Sequence, residues 1–269
     1  MPADDTIEAL VRRDRFVVVT ALIAVITLSW TYLLTGAGMG MSAFETTRMS
    51  QAGMSDMTMM TPAPWTTGYA ILMFFMWWVM MVAMMLPSAA PMILLFASVN
   101  RKQREIGRPP VATSIFAFGY LATWAGFSLV AVLLQWAFQQ AGILSPMLVG
   151  TNVIFGGILL IAAGLYQLTP VKHACLRHCR TPVAFISGRW RSGARGALRM
   201  GLEHGAYCVG CCWFLMGLLF IGGVMNLFWI AGLALLVLLE KTVPAGHWLG
   251  YATGFALLAW GVNVLATAN

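Results

Sequence analysis

Charge is what this chain of 269 residues has least of: Asp, Glu, Lys and Arg together make up 9% of it, against roughly 25% in a soluble domain. So little charge excludes a soluble globular enzyme, and a hydrophobic fraction of 60% excludes a disordered chain. Five cysteines are too few to staple a fold of this length with disulfides. No Walker A run, GxSxG elbow or paired-carboxylate arrangement is present, so no hydrolytic or ATP-driven chemistry is visible. The net charge of +7 does not point to nucleic acid, because in an apolar chain the position of each charge matters more than the sum. What remains is an all-α, polytopic integral membrane bundle whose first partner is the lipid bilayer.

Long apolar runs are what the chain has instead. Seven stretches, each near the ~20 residues that cross a bilayer, lie at 16–34, 68–97, 111–138, 146–168, 206–223, 226–243 and 247–266. Gly222, Gly223 and Asn226 supply the turn between the fifth and the sixth. With the N-terminus in the cytosol, every Lys and Arg except Arg48 falls on the cytosolic side, which is the orientation the positive-inside rule selects. Residues 1–15 then form a basic cytosolic tail, and residues 16–269 a single transmembrane domain with an external loop at 35–67 and a cytosolic loop at 169–205. The first span follows Arg12, Arg13 and Arg15 without an A-x-A-like cleavage site and reads as an uncleaved anchor. Within the cytosolic loop, residues 186–205 carry Arg189, Arg191, Arg195 and Arg199 beside Trp190 and Leu198, the pattern of an interfacial helix on an anionic leaflet.

Sulfur is distributed unevenly between the two sides. The external loop holds Met39, Met41, Met49, Met54, Met57, Met59 and Met60 and neither His nor Cys. Thioethers are soft, neutral ligands that select Cu(I), and they persist where thiols oxidise. On the second span Met73, Met76, Met80 and Met84 share one face at ~100° per residue, and Met81, Met85 and Met92 form a second stripe about 80° away. Such a ladder passes a soft cation along, or else it simply packs. Pro87 and Pro91 bend this span and release carbonyls.

All five cysteines lie at the cytosolic end, with three of the four histidines. Cys175 and Cys179 sit in the loop beside His173 and His178. His204, Cys208 and Cys211 share a face if the fifth helix already runs from about Gly201, with Cys212 turned ~80° away and Met216 one turn beyond it. Reduced thiols beside Arg177, Arg180 and Arg199 favour metal or redox chemistry. Zinc is the competing ion for a Cys/His set, but C-x3-C followed by C-x2-C-C is no standard zinc spacing, and the thioethers favour Cu(I). Gly246, Gly250 and Gly254 make a small-residue packing face on the last span. Glu240 and Lys241 are adjacent and therefore ~100° apart on a helix, so each requires its own partner.

Several of these segments together resemble a known group. They are Met76-Trp77-Trp78-Val79-Met80-Met81-Val82-Ala83-Met84-Met85-Leu86-Pro87, Thr169-Pro170-Val171-Lys172 leading to Cys175-Leu176-Arg177-His178-Cys179-Arg180, then Cys208-Val209-Gly210-Cys211-Cys212-Trp213, Met225-Asn226 and Glu240-Lys241. The chain over residues 68–266 resembles a bacterial family of predicted metal-binding integral membrane proteins, some of them described as copper chaperones. The resemblance implies metal handling in the inner membrane and supply of copper to a cuproenzyme client.

The resulting expectation is a multi-pass protein of the bacterial inner membrane that binds Cu(I) and carries it across or hands it to a partner, either a client or a copper donor. The expected ligands are Cys175, Cys179, Cys208, Cys211, Cys212, His173, His178, His204, Met73, Met76, Met80, Met84 and Met216. The rival readings are a membrane thiol-disulfide oxidoreductase and a non-catalytic accessory subunit of a membrane complex. The orientation has a direct test. A reporter active only outside the cytosol is expected to work when fused after residue 55 or residue 269 and to fail after residue 105 or 190; activity at 190 would place the thiols outside.

Overall fold

The computed structural model describes residues 2–51, 64–105, 111–145 and 148–268. Met54, Met57, Met59 and Met60 of the external loop lie outside them, as do the side chains of Arg12 and Arg13 in the N-terminal tail. The described residues are helical apart from turns and an isolated bridge between Leu144 and Gly150. In chain order the helices are α1 Pro2–Leu34, α2 Ala43–Gln51, α3 Thr67–Glu105, α4 Thr113–Gln140, α5 Val153–Leu168, α6 Pro170–Arg180, α7 Pro182–Arg189, α8 Gly193–Gly217, α9 Leu219–Gly222, α10 Leu227–Thr242 and α11 Gly246–Thr267.

Among the described residues, five segments are long and apolar enough to cross a membrane: Arg15–Leu34, Thr67–Gln103, Thr113–Gln140, Gly193–Gly222 and Gly246–Thr267. They match five of the seven expected stretches. The other two are shorter, since α5 and α10 have 16 residues each, about 24 Å at 1.5 Å per residue. α5 meets the same criterion only when joined to α6, from which it is bent by 63°. Local chemistry sets that bend. Pro170 at the start of α6 has no N–H and pushes Thr169 into extended backbone, while the Thr169 hydroxyl accepts from Lys172 N and caps the new helix.

Other boundaries follow the same rules. Asn152 and Asn226 cap α5 and α10 by accepting from Phe155 N and Phe228 N, and Gly223, at φ 94°, makes the turn before α10. α3 continues through Pro87 and Pro91 as one helix of 39 residues. Two segments differ from expectation. The external loop contains α2, whose start is a reciprocal capping box: Ser42 Oγ accepts from Glu45 N, and Glu45 Oε2 accepts from Ser42 N at 2.8 Å. Thr47 Oγ1 then accepts from Leu227 N, fastening α2 to the start of α10. Residues 186–205 do not form one interfacial helix, because the chain is extended at Trp190 and Ser192 and turns at Gly193, φ 79°, where α8 begins.

Close pairing of α4 with α8, and of α5 with α11, makes the bundle. Small residues permit it. A Cβ on Gly119 would lie 2.5 Å from the Leu198 carbonyl oxygen, and one on Gly201 would overlap the carbonyl oxygen of Phe116. Gly164 meets the Gly254 backbone in the same way, which accounts for part of the glycine face expected on the last span. The outer surface is apolar, with Ile23, Leu28, Phe118, Leu133, Ile158 and Phe255 exposed, while Lys172, Glu240, Lys241, His204 and Gln167 are buried. That inversion is what a lipid solvent requires.

Gly201→Ala is expected to separate α4 from α8 and lower stability by about 1–3 kcal/mol through overpacking. Gly188→Ala, where an added Cβ meets nothing within 4 Å, serves as the control and leaves the thermal unfolding midpoint in detergent unchanged or slightly raised.

Candidate metal centre

α6 and α8 carry the thiols towards one another. Cys175 and Cys179 are one turn apart on α6, and on α8 the adjacent Cys211 and Cys212 follow Cys208 by one turn. Gly210 leaves the space that Cys175 fills, since a Cβ there would lie 2.9 Å from Cys175 Sγ. The Tyr166 hydroxyl donates to the Gly210 carbonyl and holds α5 against the same turn. Cys179 of α6 approaches Cys208 and Cys211 of α8, and Cys212 approaches the same two. Cys211 and Cys212 both donate to the Cys208 carbonyl, at 3.1 and 2.9 Å. All five cysteines are free; the three on α8 are buried, and the two on α6 are half-buried. The group therefore runs from an accessible edge into the core.

Three further groups close around it. Lys241 Nζ donates to Cys208 Sγ at 2.9 Å and to Ser88 Oγ at 3.2 Å. The Tyr120 hydroxyl lies 3.1 Å from the same sulfur and 3.2 Å from the Met85 carbonyl oxygen. Cys212, turned away from the face of His204, Cys208 and Cys211, meets α3, where its Sγ is 3.9 Å from Met85 Sδ. A buried ammonium is costly without a compensating anion, and the available one is a thiolate. Lys241, Met85 and Tyr120 were absent from the expected ligand set. The second methionine stripe and a charge inside an apolar run were signals for Met85 and Lys241; Tyr120 had none.

The histidines divide. His204 is buried one turn before Cys208, its ring near Tyr120 and Phe185 and its Nδ1 without a hydrogen-bond partner among the described residues. His173 packs on Tyr251 of α11 at 4.6 Å between ring centres. His178 stacks on Tyr207 at 4.1 Å, with its Nδ1 bonded to the Ala174 carbonyl. Met73, Met76, Met80, Met84 and Met216 are all buried, as are Met81, Met85 and Met92. The thiols thus reach α3 through the second stripe, at Met85. Among the described residues, no group of three or more His, Cys, Asp or Glu is arranged to hold one metal ion.

The two charges on α10 find the separate partners that their angle demands. Glu240 pairs with Lys172 of α6, whose Nζ is 2.8 Å from both carboxylate oxygens, and accepts from Gln167 Nε2 at 3.0 Å. Gly250 of α11 leaves the room, a Cβ there falling 3.1 Å from Lys172 Nζ. Arg180 at the end of α6 donates to the carbonyls of Val243 and Pro244. α6 is therefore tied to the C-terminal end of α10 at two places, and α8 is tied to it through Lys241.

A family model described as copper chaperone matches residues 74–264, the stretch that holds every cysteine, both members of the buried ion pair and Lys241. No curated protein and no solved structure matches the chain.

The ion pair is expected to act as a unit. Lys172→Met leaves the Glu240 carboxylate buried without its cation and should cost about 3–5 kcal/mol, whereas the double variant Lys172→Met with Glu240→Met should recover most of that loss. Thermal unfolding of the four proteins of this cycle in one detergent measures the coupling.

Proposed function

The chain belongs to the copper chaperone family, and from that premise we propose that it binds Cu(I) through cysteine thiolates and methionine thioethers and transfers it across the membrane or to a cuproenzyme partner. The observation that carries this reading is the contact of Cys212 with the Met85 thioether, on the helix turn that also holds Cys208 and Cys211. Thiolate and thioether together are a soft donor set. They suit Cu(I), while zinc gains little from methionine and prefers four closed ligands. A soft monovalent ion is satisfied by two thiolates, so the lack of a three-ligand group among the described residues weighs against zinc more than against Cu(I).

In this reading Cys175 and Cys179, at the accessible edge, exchange the ion with a partner, and Cys208 and Cys211 hold it. Cys212 and Met85 form the junction to α3. Their sulfurs, 3.9 Å apart, lie within the span of one ion with metal–sulfur bonds of ~2.3 Å. The buried methionines of α3, including Met73, Met76, Met80 and Met84, then line the way towards the external loop. His204 stands beside the thiols as a further donor. The chain acts as a carrier of the ion.

The membrane context is part of the proposal. α5 and α10 complete seven spans with help from their flanking turns, and the bias of Lys and Arg puts the thiols on the cytosolic side of a bacterial inner membrane. There thiols remain reduced and ready for metal.

Cu(I) affinity, measured anaerobically on purified protein against a competing chelator, tests the site. Cys208→Ser and Cys211→Ser are each expected to abolish tight binding, and Cys212→Ser to weaken it less. Wild-type affinity in the double Cys208/Cys211 variant would refute the thiol site.

A further inference from the structure

Lys241 is a charge whose role the copper reading leaves open. Its side chain is buried on α10, and its Nζ contacts Cys208 Sγ at 2.9 Å and Ser88 Oγ at 3.2 Å. The adjacent carboxylate does not serve it, because Glu240 points to the other side and is engaged by Lys172 and Gln167. Among the described residues Lys241 forms no ion pair with a carboxylate. An ammonium buried beside a thiol rather than a carboxylate is an expensive arrangement for mere anchoring, since a methionine or leucine would fill the space without desolvating a charge.

We propose that Lys241 makes the thiol site selective for a soft monovalent cation over a divalent one, by supplying the one positive charge that a two-thiolate complex of a monovalent ion lacks. The inference rests on the copper reading above. Charge balance in an apolar interior sets the preference. Two thiolates and one monovalent ion sum to a single negative charge, which the neighbouring ammonium cancels. The same two thiolates with a divalent ion are already neutral, and the ammonium then stands uncompensated in a medium where that is costly. A third thiolate would remove the penalty, but no group of three such ligands is arranged for one ion among the described residues. Binding forms two sulfur–metal bonds and releases the remaining thiol protons to solvent, while Lys241 stays charged throughout.

The geometry also explains why the charge sits on Cys208. This thiol lies among Lys241, the Tyr120 hydroxyl and the other α8 thiols. Placed there, the cation is in contact with one ligand and within a few ångströms of an ion bound to it. Ser88, on the same α3 face as Met85, accepts from the amine at 3.2 Å without adding a charge of its own.

The test compares Cu(I) and Zn(II), each as the metal alone with a matched competing chelator, on full-length protein in detergent under anaerobic conditions. Lys241→Met removes the charge at similar volume, Lys241→Gln removes it while keeping a hydrogen-bond donor, and Lys241→Arg keeps it. Both neutralising variants are expected to lower the ratio of Cu(I) to Zn(II) affinity by at least about tenfold, and the arginine variant to retain it. An unchanged ratio in Lys241→Met and Lys241→Gln would overturn the inference while leaving the copper reading intact. If the wild-type protein bound no Cu(I), the copper reading would fail first and the inference with it. Should Lys241→Met fail to fold, Lys241→Gln, neutral but still able to donate to Ser88, decides the question.

Discussion

Glu240 and Lys241 are neighbours in sequence, and neither charge can be left alone inside an apolar bundle. Consecutive residues on a helix point ~100° apart, so one partner cannot serve both. Lys172 of α6 answers the carboxylate, and Cys208 of α8 answers the ammonium. Two helices are thereby drawn to one end of α10, and they are the two that carry all five cysteines. The convergence of the thiols is in this sense a consequence of electrostatics. Removing one partner of a buried pair costs about 3–5 kcal/mol, several times a typical net hydrogen bond, which is why this constraint outranks the polar contacts around it.

Packing supplies the second half of the arrangement. Glycines let α4 approach α8 until backbone nearly touches backbone, and that approach sets the Tyr120 hydroxyl beside Cys208. The same device seats α5 on α11 and opens the space over Gly250 into which Lys172 projects. Methionine then fills what the rigid contacts leave. Its unbranched, polarisable side chain adapts to irregular gaps, and at Met85 it brings a sulfur to within 3.9 Å of Cys212. One side chain can serve packing and soft-ligand chemistry at once, so the burial of these methionines and their use by a cation are compatible.

Membership of the copper chaperone family gives these features a common frame. The matched stretch, residues 74–264, begins within α3 and ends within α11. It contains the thiols, the Lys172–Glu240 pair, Lys241 and Met85, and it leaves out α1 and α2. The matched part is the part in which charge, sulfur and close helix packing depend on one another.

Composition and periodicity by themselves determined that the chain is helical and apolar, where its long helices lie, and that its cysteines gather at one end. Proline and the helix caps are local signals, so the breaks at Pro170 and Gly223 were readable, and the Ser42–Glu45 capping box was there to be read although α2 was expected as loop. That Glu240 and Lys241 need different partners also followed from helix geometry alone. Which partners they take did not, because Lys172 and Cys208 lie 68 and 33 residues away in sequence and meet α10 only after α6 has bent and α8 has docked. The tertiary structure likewise turned Cys212 onto Met85 and sent His173 and His178 to Tyr251 and Tyr207. Angles on one helix say which residues share a face, whereas what that face meets is set by how several helices share space and charge.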